Sequence, residues 1–468
     1  MSAVRGSGLA DPDLHLFLAD DEIDSMVGVT RLINQMRHDY QEPVLPADQP
    51  WELHHIQASK VLHDPEDNRY KCWYLAAING RPWPYSRGVC LATSRDGVEW
   101  EKPALEVARL PDGTATNIVD LPRDTGARLL FPYLNVPDAG PQERFVGTIY
   151  QSSGPTAVTL DPPDKEPAGR SGIYRATSPD GIHWTVSDDP VVQAGDRNAT
   201  AYDPTRQVWM LATRSATARG VARQRDLSLW ESSDLQAWTP QCKLLRSDEH
   251  DRANTEFYGM LPVRYGAGFI GFLEVYHRAV ERLDTQLAWS ADGRHWQRVG
   301  HRDPVLTRGG EGEWDSHWVY VTNNDPEPVG DRLRFWYGGA GTHHGSKAKH
   351  RRAMGIASIR RDGFVSIEGR MDPGFLLTAA LDATVPRRLT INVDAETGDA
   401  SVEVLSRDGG PLAGFSAEDC RLSEQDGVSA SVSWRGGEVV PAHPDGKVFL
   451  KINLRNASLY SYRWAAAQ

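Results

Sequence analysis

The stretch Ser94-Arg-Asp96-Gly97-Val-Glu-Trp100 decides the fold, because it recurs along the chain. It returns as Ser178-Pro-Asp180-Gly181-Ile-His-Trp184 and as Ser290-Ala-Asp292-Gly293-Arg-His-Trp296. Degenerate copies are Ser233-Asp234-Leu-Gln-Ala-Trp238 and Arg361-Asp362-Gly363-Phe364. An Asp-Gly turn between two strand-like runs is the strongest short-range signal for a β-hairpin. The copies therefore predict a sheet unit that repeats along the chain.

Two further strand-like runs precede each copy of this turn. The nearer run is typified by Tyr70-Lys-Cys-Trp-Tyr-Leu and Leu333-Arg-Phe-Trp-Tyr-Gly. The farther runs begin near His54, Thr116, Asp196, Asn254 and Trp314. Each unit thus has three strands that lead to the turn and one that follows it, which is the pattern of a propeller blade. The chain is therefore predicted to be all-β, with a five-bladed β-propeller as its first domain.

The character of the sequence changes at about Phe375. The Trp-rich turns stop there, and short runs follow that alternate apolar and polar residues. These runs are Arg388-Leu-Thr-Ile-Asn-Val, Ala400-Ser-Val-Glu-Val-Leu, Val428-Ser-Ala-Ser-Val-Ser-Trp, Lys447-Val-Phe-Leu-Lys-Ile-Asn and Ser458-Leu-Tyr-Ser-Tyr-Arg-Trp. Closely spaced strands with a period of two are typical of a β-sandwich. We therefore predict a propeller over residues 1–372 and a C-terminal β-sandwich over residues 373–468.

The composition limits the kinds of partner. The chain of 468 residues carries 51 Lys and Arg against 63 Asp and Glu, a formal net charge of −12. An acidic chain without a basic block cannot neutralise nucleic-acid phosphates, so we expect no nucleic-acid partner. No apolar run reaches the ~18 residues of a membrane-spanning helix, so we expect no membrane partner. The first residues lack the apolar segment of a signal peptide, which favours a cytoplasmic protein.

Carboxylates at the starts of the inner strands are the candidate catalytic groups. The first strand of each propeller blade lines the central channel, so side chains at the strand starts converge at one mouth. Asp196, Glu256 and Asp315 have such positions in three successive blades, whereas the run Thr114-Ala-Thr-Asn117 of the second blade has no acid. Glycoside hydrolysis needs two carboxylates that flank the scissile bond. The three acids are therefore predicted to form the catalytic group.

The neighbours of these carboxylates suggest different roles. Asp196 precedes Arg197, whose charge would hold the carboxylate ionised, as a nucleophile or base requires. Glu256 is flanked by two aromatic residues, and an apolar setting raises the pKa of a carboxyl group, as a proton donor requires. Asp315 would stabilise the transition state or bind a sugar hydroxyl. In the alternative, purely structural interpretation, each acid caps a turn or pairs with an arginine.

Aromatic, histidine and amide side chains near the same mouth are candidates for sugar binding. The predicted substrate-binding residues are Asp21, Trp51, His55, Arg197, Asn198, Asn254, Tyr258, His277, His317, Trp318 and His343. Asp21 is included because the preceding Leu-His-Leu-Phe-Leu run would close the ring with the last blade. Each histidine either binds a sugar hydroxyl or a metal ion, or is satisfied by a backbone carbonyl. No spacing typical of zinc ligands occurs.

Several segments resemble furanosidase-type glycoside hydrolases of families 32, 43 and 68, and in particular uncharacterised bacterial proteins of the family-32 type. They include Leu16-Phe-Leu-Ala-Asp-Asp-Glu-Ile, Gly310-Glu-Gly-Glu-Trp-Asp-Ser and Asn456-Ala-Ser-Leu-Tyr-Ser-Tyr. The resemblance covers nearly the whole chain and implies a propeller followed by a sandwich. The family-32 nucleophile motif Trp-Met-Asn-Asp-Pro-Asn-Gly and the Glu-Cys acid/base motif are both absent. The identity of the sugar and the roles of the carboxylates therefore stay open.

This resemblance implies a glycoside hydrolase or transglycosidase of carbohydrate metabolism, with a furanoside-like small-molecule sugar or glycoside as its partner. No cofactor is expected, although family-43 propellers with a channel calcium ion leave room for a structural divalent ion. Two alternatives stand beside this function. One is a non-hydrolytic enzyme on the same scaffold, such as a lyase or cyclase of a secondary pathway. The other is a carbohydrate-binding propeller without catalysis. A homo-oligomer is compatible with the sandwich edges, but no pattern requires it.

Overall fold

The fold is seen in a computed structural model that describes residues 9–77, 87–110, 112–121, 127–134, 136–137, 139–140, 142–151, 171–219, 222–343 and 352–467. In these ranges the regular structure is β-strand, apart from two single-turn 3-10 helices at Asp20–Glu22 and Ala417–Asp419. Neither helix approaches the length or apolarity needed to cross a membrane, and the described residues contain no other.

Five antiparallel blades follow one another along the chain. The first contains Ile56–Asp64, Arg69–Ala77, Arg87–Ser94 and Trp100–Glu101. The second contains Ala127–Leu134, Phe145–Gln151, Gly172–Ser178 and Thr185–Val186. The third contains Asn198–Asp203, Val208–Arg219, Ala222–Ser232 and Thr239–Leu245. The fourth contains Thr255–Tyr265, Gly268–His277 and Arg282–Ser290, edged by Gln297–Arg298 and Pro304–Leu306. The fifth contains Trp318–Val321, Glu327–Val329, Arg332–Ala340 and Arg352–Arg360.

The inner strand of the second blade differs from the prediction. It is Ala127–Leu134 and not the run at residues 114–117. Ala115–Thr116 instead forms a separate two-stranded sheet with Leu105–Arg109. The prediction is wrong because the interval between the first and second turns holds this additional hairpin, which imitates the start of a blade.

The ring is closed by a segment from the N-terminal part of the chain. Arg37–His38 pairs with Arg352–Arg360 of the fifth blade and so takes the place of that blade's outer strand. Leu14–His15, which we predicted to close the ring, instead pairs with Ala457–Ala466 of the sandwich. That prediction is wrong because the apolar residues after Leu14–His15 are buried against the sandwich, where the Phe17 ring lies 5.6 Å from that of Tyr462.

The sandwich consists of two sheets. The first contains Leu14–His15, Val29–Ile33, Val365–Gly369, Arg387–Asp394, Arg421–Leu422, Asp426–Ser433, Val439–Val440 and Ala457–Ala466. The second contains Ile23–Val27, Gly374–Thr378, Leu381–Asp382, Asp399–Leu405 and Lys447–Arg455. Strands at residues 14–15, 23–33 and 365–369 thus pair in the sandwich, although the predicted division at residue 372 placed them with the propeller. The Asp362-Gly363 turn accordingly leads into the sandwich and not to an outer strand of the fifth blade.

The sandwich packs against the fourth and fifth blades. One buried apolar cluster includes Leu389 and Ile452 of the sandwich together with Phe272 and Phe335 of the blades. Phe364 lies at the junction, with its ring centroid 6.0 Å from that of Phe272. The predicted all-β fold, a five-bladed propeller followed by a sandwich, is therefore confirmed, and its two parts share a core.

Each Ser-x-Asp-Gly turn is closed by its own side chains. In the first turn Ser94 Oγ accepts a hydrogen bond from the Gly97 N–H at 2.9 Å. The Asp96 carboxylate accepts from the two N–H groups that follow the glycine position, at 2.8 and 2.9 Å. Gly97 has φ 76°, a left-handed conformation that glycine adopts without steric cost. The same carboxylate bonds recur at Asp180, Asp234 and Asp292.

Tryptophans on the second strands join two of these turns to the neighbouring blade. The Trp73 indole N–H of the first blade donates to the Gly181 carbonyl of the second blade at 2.9 Å. The Trp336 indole N–H of the fifth blade donates to the Gly97 carbonyl of the first blade at 2.8 Å. A Cβ on either glycine would lie 2.8 Å from the partner ring, so only glycine allows this approach. We call this contact the indole–glycine link.

We expect Trp73→Phe to lower the free energy of unfolding by about 1–3 kcal/mol, because one buried hydrogen bond is lost and the smaller ring leaves a cavity. Urea denaturation followed by circular dichroism measures the change. Met371→Ala, at a position that is 79% exposed, is the control and should shift stability by less than about 0.5 kcal/mol. Equal stability of Trp73→Phe and the parent protein would contradict the importance of this link.

Candidate active site at the propeller mouth

A chain of ionic and aromatic contacts connects the third and fourth blades at the starts of their inner strands. Asp196 forms an ion pair with Arg214, whose guanidinium lies 4.9 Å from the centre of the Tyr258 ring. Arg225 lies 5.4 Å from the centre of the same ring and forms an ion pair with Glu256. Asp196 and Glu256 are thus brought to one mouth and are connected through Tyr258 and two arginines.

Glu256 is buried beside two guanidinium groups. Its side chain is paired with Arg225, and its Oε1 lies 3.6 Å from Nη1 of Arg278. The apolar setting that we predicted for Glu256 is therefore wrong. Successive side chains of a strand point to opposite faces, and Phe257 packs into the apolar interface between the third and fourth blades, away from Glu256.

An open cleft lies beside this chain of contacts. Its volume of about 780 Å³ is within the usual range for small-molecule sites. The cleft is lined by Gly195, Arg214, Arg225, Trp230 and Lys243 of the third blade, with Glu256 and Arg278 of the fourth blade. Glu256 thus faces a space that can hold a ligand, and Asp196 lies at its edge, next to Gly195 in the chain.

Arg197 pairs with a carboxylate that the sequence did not suggest. Its Nε donates to Oε2 of Glu274 at 2.8 Å, and its guanidinium lies 4.3 Å from the centre of the Tyr320 ring. A Cβ at Gly259 would lie 2.9 Å from both Arg197 Cγ and Glu274 Oε2, so glycine makes room for this buried pair. The expectation that Arg197 holds Asp196 ionised is therefore wrong, since the pair with Glu274 occupies its guanidinium.

Further along the inner strands, the central channel is filled by polar side chains. Asn323 Nδ2 donates to the Thr200 carbonyl at 3.1 Å and to the Tyr133 hydroxyl at 3.2 Å. The Lys60 ammonium lies 4.2 Å from the centre of the Tyr133 ring. Burial lowers the pKa of Lys60 to about 8, although the nearby Asp325 carboxylate raises it. This packing places any ligand site of the channel at its mouth.

Three predicted sugar-binding residues, Asn198, Tyr258 and Trp318, lie within the first four residues of their inner strands at this mouth. The buried side-chain amide of Asn198 has no hydrogen-bond partner among the described residues. Tyr258 packs edge-on against Trp318, with ring centroids 5.1 Å apart. Trp318 is only 5% exposed, and its indole N–H donates to the Glu281 carbonyl at 3.1 Å. Trp318 therefore supports the Tyr258 ring, and its predicted role as an open stacking platform is wrong.

Asp315 lies apart from this group. Its buried carboxylate accepts a hydrogen bond from the Tyr337 hydroxyl at 2.8 Å and pairs with His38 Nδ1 at 3.3 Å. The hydrogen bond with Asp315 raises the pKa of His38. Asp315 does not line the cleft beside Glu256. The predicted group of three carboxylates is therefore wrong for Asp315, because its side chain turns toward the segment that closes the ring.

His277, His317 and His343 do not line this cleft. His317 lines a cavity of about 430 Å³ on the fourth blade, and burial together with a nearby arginine lowers its pKa. His277 Nε2 lies 3.0 Å from Oδ2 of Asp284, which lines the same cavity. His343 Nδ1 lies 2.6 Å from Oε2 of Glu281. The structure thus does not bring these three histidines to the cleft that Glu256 lines.

Two further predicted sugar-binding residues, Trp51 and Asp21, do not line the cleft. Trp51 is buried in the core of the first blade, where its indole N–H donates to Oδ1 of Asn117 at 3.0 Å. Asp21 is exposed on the 3-10 helix Asp20–Glu22, directly before the sandwich strand Ile23–Val27. Both predicted roles are therefore wrong: packing within the blade covers the Trp51 ring, and Asp21 belongs to the sandwich and not to the propeller ring.

His55 and Asn254 lie at strand starts, as predicted. His55 directly precedes the inner strand of the first blade and forms a parallel bridge to Arg352. Asn254 is exposed, has φ 63° and directly precedes the inner strand of the fourth blade. Their roles in binding stay predictions.

The arginines at the mouth were missed from the sequence. They are Arg214, Arg225, Arg278 and Arg352. Three of them lie on second or third strands and one directly follows a second strand, whereas the inner strands alone were considered as sources of site residues. No local motif marks these positions, because each arginine meets its carboxylate or ring on another strand.

No metal centre is apparent in the part of the chain that the structure describes, since no three His, Cys, Asp or Glu side chains there are grouped to hold an ion. The structural divalent ion suggested by the family resemblance stays a prediction.

No protein-family model and no curated protein matches this chain. Solved structures do show similarity. A β-fructofuranosidase from Schwanniomyces occidentalis, complexed with fructosyl-erythritol, is 11% identical over 91% of this chain and 97% of its own, with a TM-score of 0.44. A thermostable family-43 glycoside hydrolase is 14% identical over 64% and 89%, with a TM-score of 0.44. A β-1,2-mannobiose phosphorylase from Listeria innocua is 10% identical over 69% and 96%, with a TM-score of 0.47. We base the functional assignment on the residues of this chain.

We expect Glu274→Ala to lower the free energy of unfolding by about 3–5 kcal/mol, because it leaves the Arg197 guanidinium buried without its partner. Urea denaturation measures the loss. Glu438→Ala, which breaks an exposed pair with Arg388, is the matched control and should cost less than about 1 kcal/mol. Similar losses in the two variants would contradict a structural role for the Arg197–Glu274 pair.

We expect the stability difference between the parent protein and Lys60→Met to depend on pH. The folded chain holds Lys60 at a pKa of about 8, against an ordinary value of 10.5, so between these values the unfolded chain binds more protons. The free energy of unfolding of the parent protein should therefore rise relative to the variant by about 2–3 kcal/mol as the pH increases from about 7 to about 10. Urea denaturation at both pH values tests this. A difference that does not change with pH would show that Lys60 titrates normally.

Proposed function

We propose that the chain is a glycoside hydrolase or transglycosidase that acts on a furanoside-like sugar at the propeller mouth. The observation that supports the proposal is the position of Asp196 and Glu256 at the starts of adjacent inner strands, beside one open cleft. Two carboxylates near a scissile bond are what glycoside cleavage requires. The proposal needs no cofactor, and the homo-oligomer and the cytoplasmic location stay predictions.

The two carboxylates would have different roles. Asp196 is 33% exposed and paired with Arg214, so it is the proposed nucleophile or base. Glu256 is the proposed proton donor, a role that requires it to be protonated in the complex with substrate. Arg225 and Arg278 would then have to turn away from Glu256 when the substrate binds, and their exposure of 33% and 60% leaves them room to do so.

The cationic surroundings of Glu256 favour a second candidate, a lyase or cyclase. In such a reaction an ionised carboxylate removes a proton next to a carbonyl group, and guanidinium groups stabilise the negative charge that develops. Arg225 and Arg278 lie beside Glu256 and line the same cleft, so they are placed to stabilise such a charge. The third candidate, a sugar-binding propeller without catalysis, is tested by the same experiment.

We expect Asp196→Asn and Glu256→Gln each to lower turnover of a cleaved glycoside by about 100-fold or more, since positioned acids and bases contribute that much to catalysis. The purified protein is first screened against nitrophenyl furanosides, nitrophenyl pyranosides and their oligosaccharides. Asp21→Asn, on the exposed 3-10 helix near the sandwich, is the matched control and should keep full turnover. Circular dichroism confirms that each variant is folded.

The products separate the candidates. A free sugar or a transferred glycosyl group indicates hydrolysis or transglycosylation. A product with a new conjugated double bond, detected by ultraviolet absorbance, indicates a lyase. Sugar binding without any turnover by the parent protein supports the binding propeller. Full turnover in both carboxylate variants would refute the assignment of Asp196 and Glu256.

A further inference from the structure

Positive charge exceeds negative charge at the propeller mouth, although the chain as a whole is acidic. Among the described residues, five guanidinium groups lie around the rings of Tyr258, Trp318 and Tyr320 or beside the cleft. They are Arg197, Arg214, Arg225, Arg278 and Arg352. The carboxylates paired with them are Asp196, Glu256 and Glu274. The mouth therefore has capacity for further negative charge.

Arg352 is the clearest example of a cation at the mouth without an ion-pair partner among the described residues. Its guanidinium lies 5.5 Å from the centre of the Trp318 ring, and no carboxylate of the described residues forms an ion pair with it. Its Nε is shielded from solvent and has no hydrogen-bond partner among the described residues. Burial lowers the pKa of Arg352, and the positive charge of Arg197 lowers it further. A shielded cation without a counter-charge is costly, so a bound anion would stabilise it.

Arg214 offers a second donor of the same kind. One of its terminal nitrogens is paired with Asp196, whereas Nη1 is shielded from solvent and has no partner among the described residues. Arg214 stands over Tyr258 and Arg352 over Trp318, and these two rings are in edge-on contact at 5.1 Å. The two arginines therefore flank one aromatic pair, and its partly exposed Tyr258 ring gives the ligand an apolar floor.

We propose that the substrate carries an anionic group, a carboxylate or a phosphate or sulfate ester, that binds between Arg214 and Arg352 beside the Tyr258 ring. The inference rests on the proposed function and names the substrate class of that site. Guanidinium groups bind such oxyanions through paired, charge-assisted hydrogen bonds. The Tyr258 ring contacts the apolar face of the sugar, and the buried Trp318 ring supports Tyr258 from behind.

Binding of matched ligands to the full-length protein tests the proposal. Isothermal titration calorimetry compares glucuronate with glucose, glucose 6-phosphate with glucose, and inorganic phosphate and sulfate alone. We expect an anionic ligand to bind at least about tenfold more tightly than its neutral counterpart, and added salt to weaken it. The separate titrations show whether the site prefers a carboxylate, a phosphate or a sulfate.

Variants locate the site. Arg352→Gln and Arg214→Gln should each weaken binding of the preferred anion about tenfold or more. Arg214→Lys keeps the charge, removes the forked donor and should still lose part of the affinity, so it replaces Arg352→Gln if that variant does not fold. Arg455→Gln changes an exposed arginine of the sandwich and should bind as the parent protein does. Equal affinity for glucuronate and glucose, and for glucose 6-phosphate and glucose, or unchanged anion binding in both Gln variants, would overturn the proposal.

Different results would refute the anion site and the glycosidase activity. Turnover of neutral glycosides that depends on Asp196, with no preference for anionic ligands, would refute the anion site and keep the glycosidase. Anion binding that is lost in the arginine variants, with no cleavage of any glycoside, would support the site and refute the glycosidase.

Discussion

The indole–glycine link fixes how the first blade meets both of its neighbours, and through them how the ring closes. A propeller ring forms only if each blade meets the next at a fixed angle and height, and at these two junctions the link holds both through one hydrogen bond and one close packing contact. Trp73 makes it from the first blade to the second, and Trp336 from the fifth to the first. The Ser-x-Asp-Gly turn supplies the acceptor carbonyl in a conformation that its own serine and aspartate hold. At these two copies, the repeated turn is thus also a docking point between blades.

The candidate site depends on the alignment of the third and fourth blades. Its ion pairs connect residues of different strands and blades, as between Arg197 of the third blade and Glu274 of the fourth. Such pairs form only when neighbouring blades stand in correct register. They also keep several charges partly shielded from water, which makes the electrostatic interactions at the mouth stronger than those of exposed groups. The site is therefore a property of the assembled ring and not of any single blade.

The sequence predicts the blades well because their turns are local and repeated. It places Asp196 and Glu256 at one mouth for a related reason, since the starts of inner strands converge in any propeller. The sequence does not predict contacts between residues that are far apart in the chain, or strands that are only two residues long. Arg37–His38 closes the ring with only two residues, too few for a recognisable strand pattern. The prediction for Asp315 is wrong because its position just before an inner strand does not determine which way its side chain points. The arginines of the mouth were missed because their partners lie on other strands.

The N-terminal segment passes from the sandwich to the propeller within a short stretch of chain. Ile23–Val27 and Val29–Ile33 pair in the two sandwich sheets, and Arg37–His38 then completes the fifth blade. The ring cannot open at this blade without pulling on strands of both sandwich sheets, and loss of the sandwich would free the segment that closes the ring. Although the chain is built from two architectures, it should therefore unfold as one cooperative unit, with a single transition in which neither part survives alone.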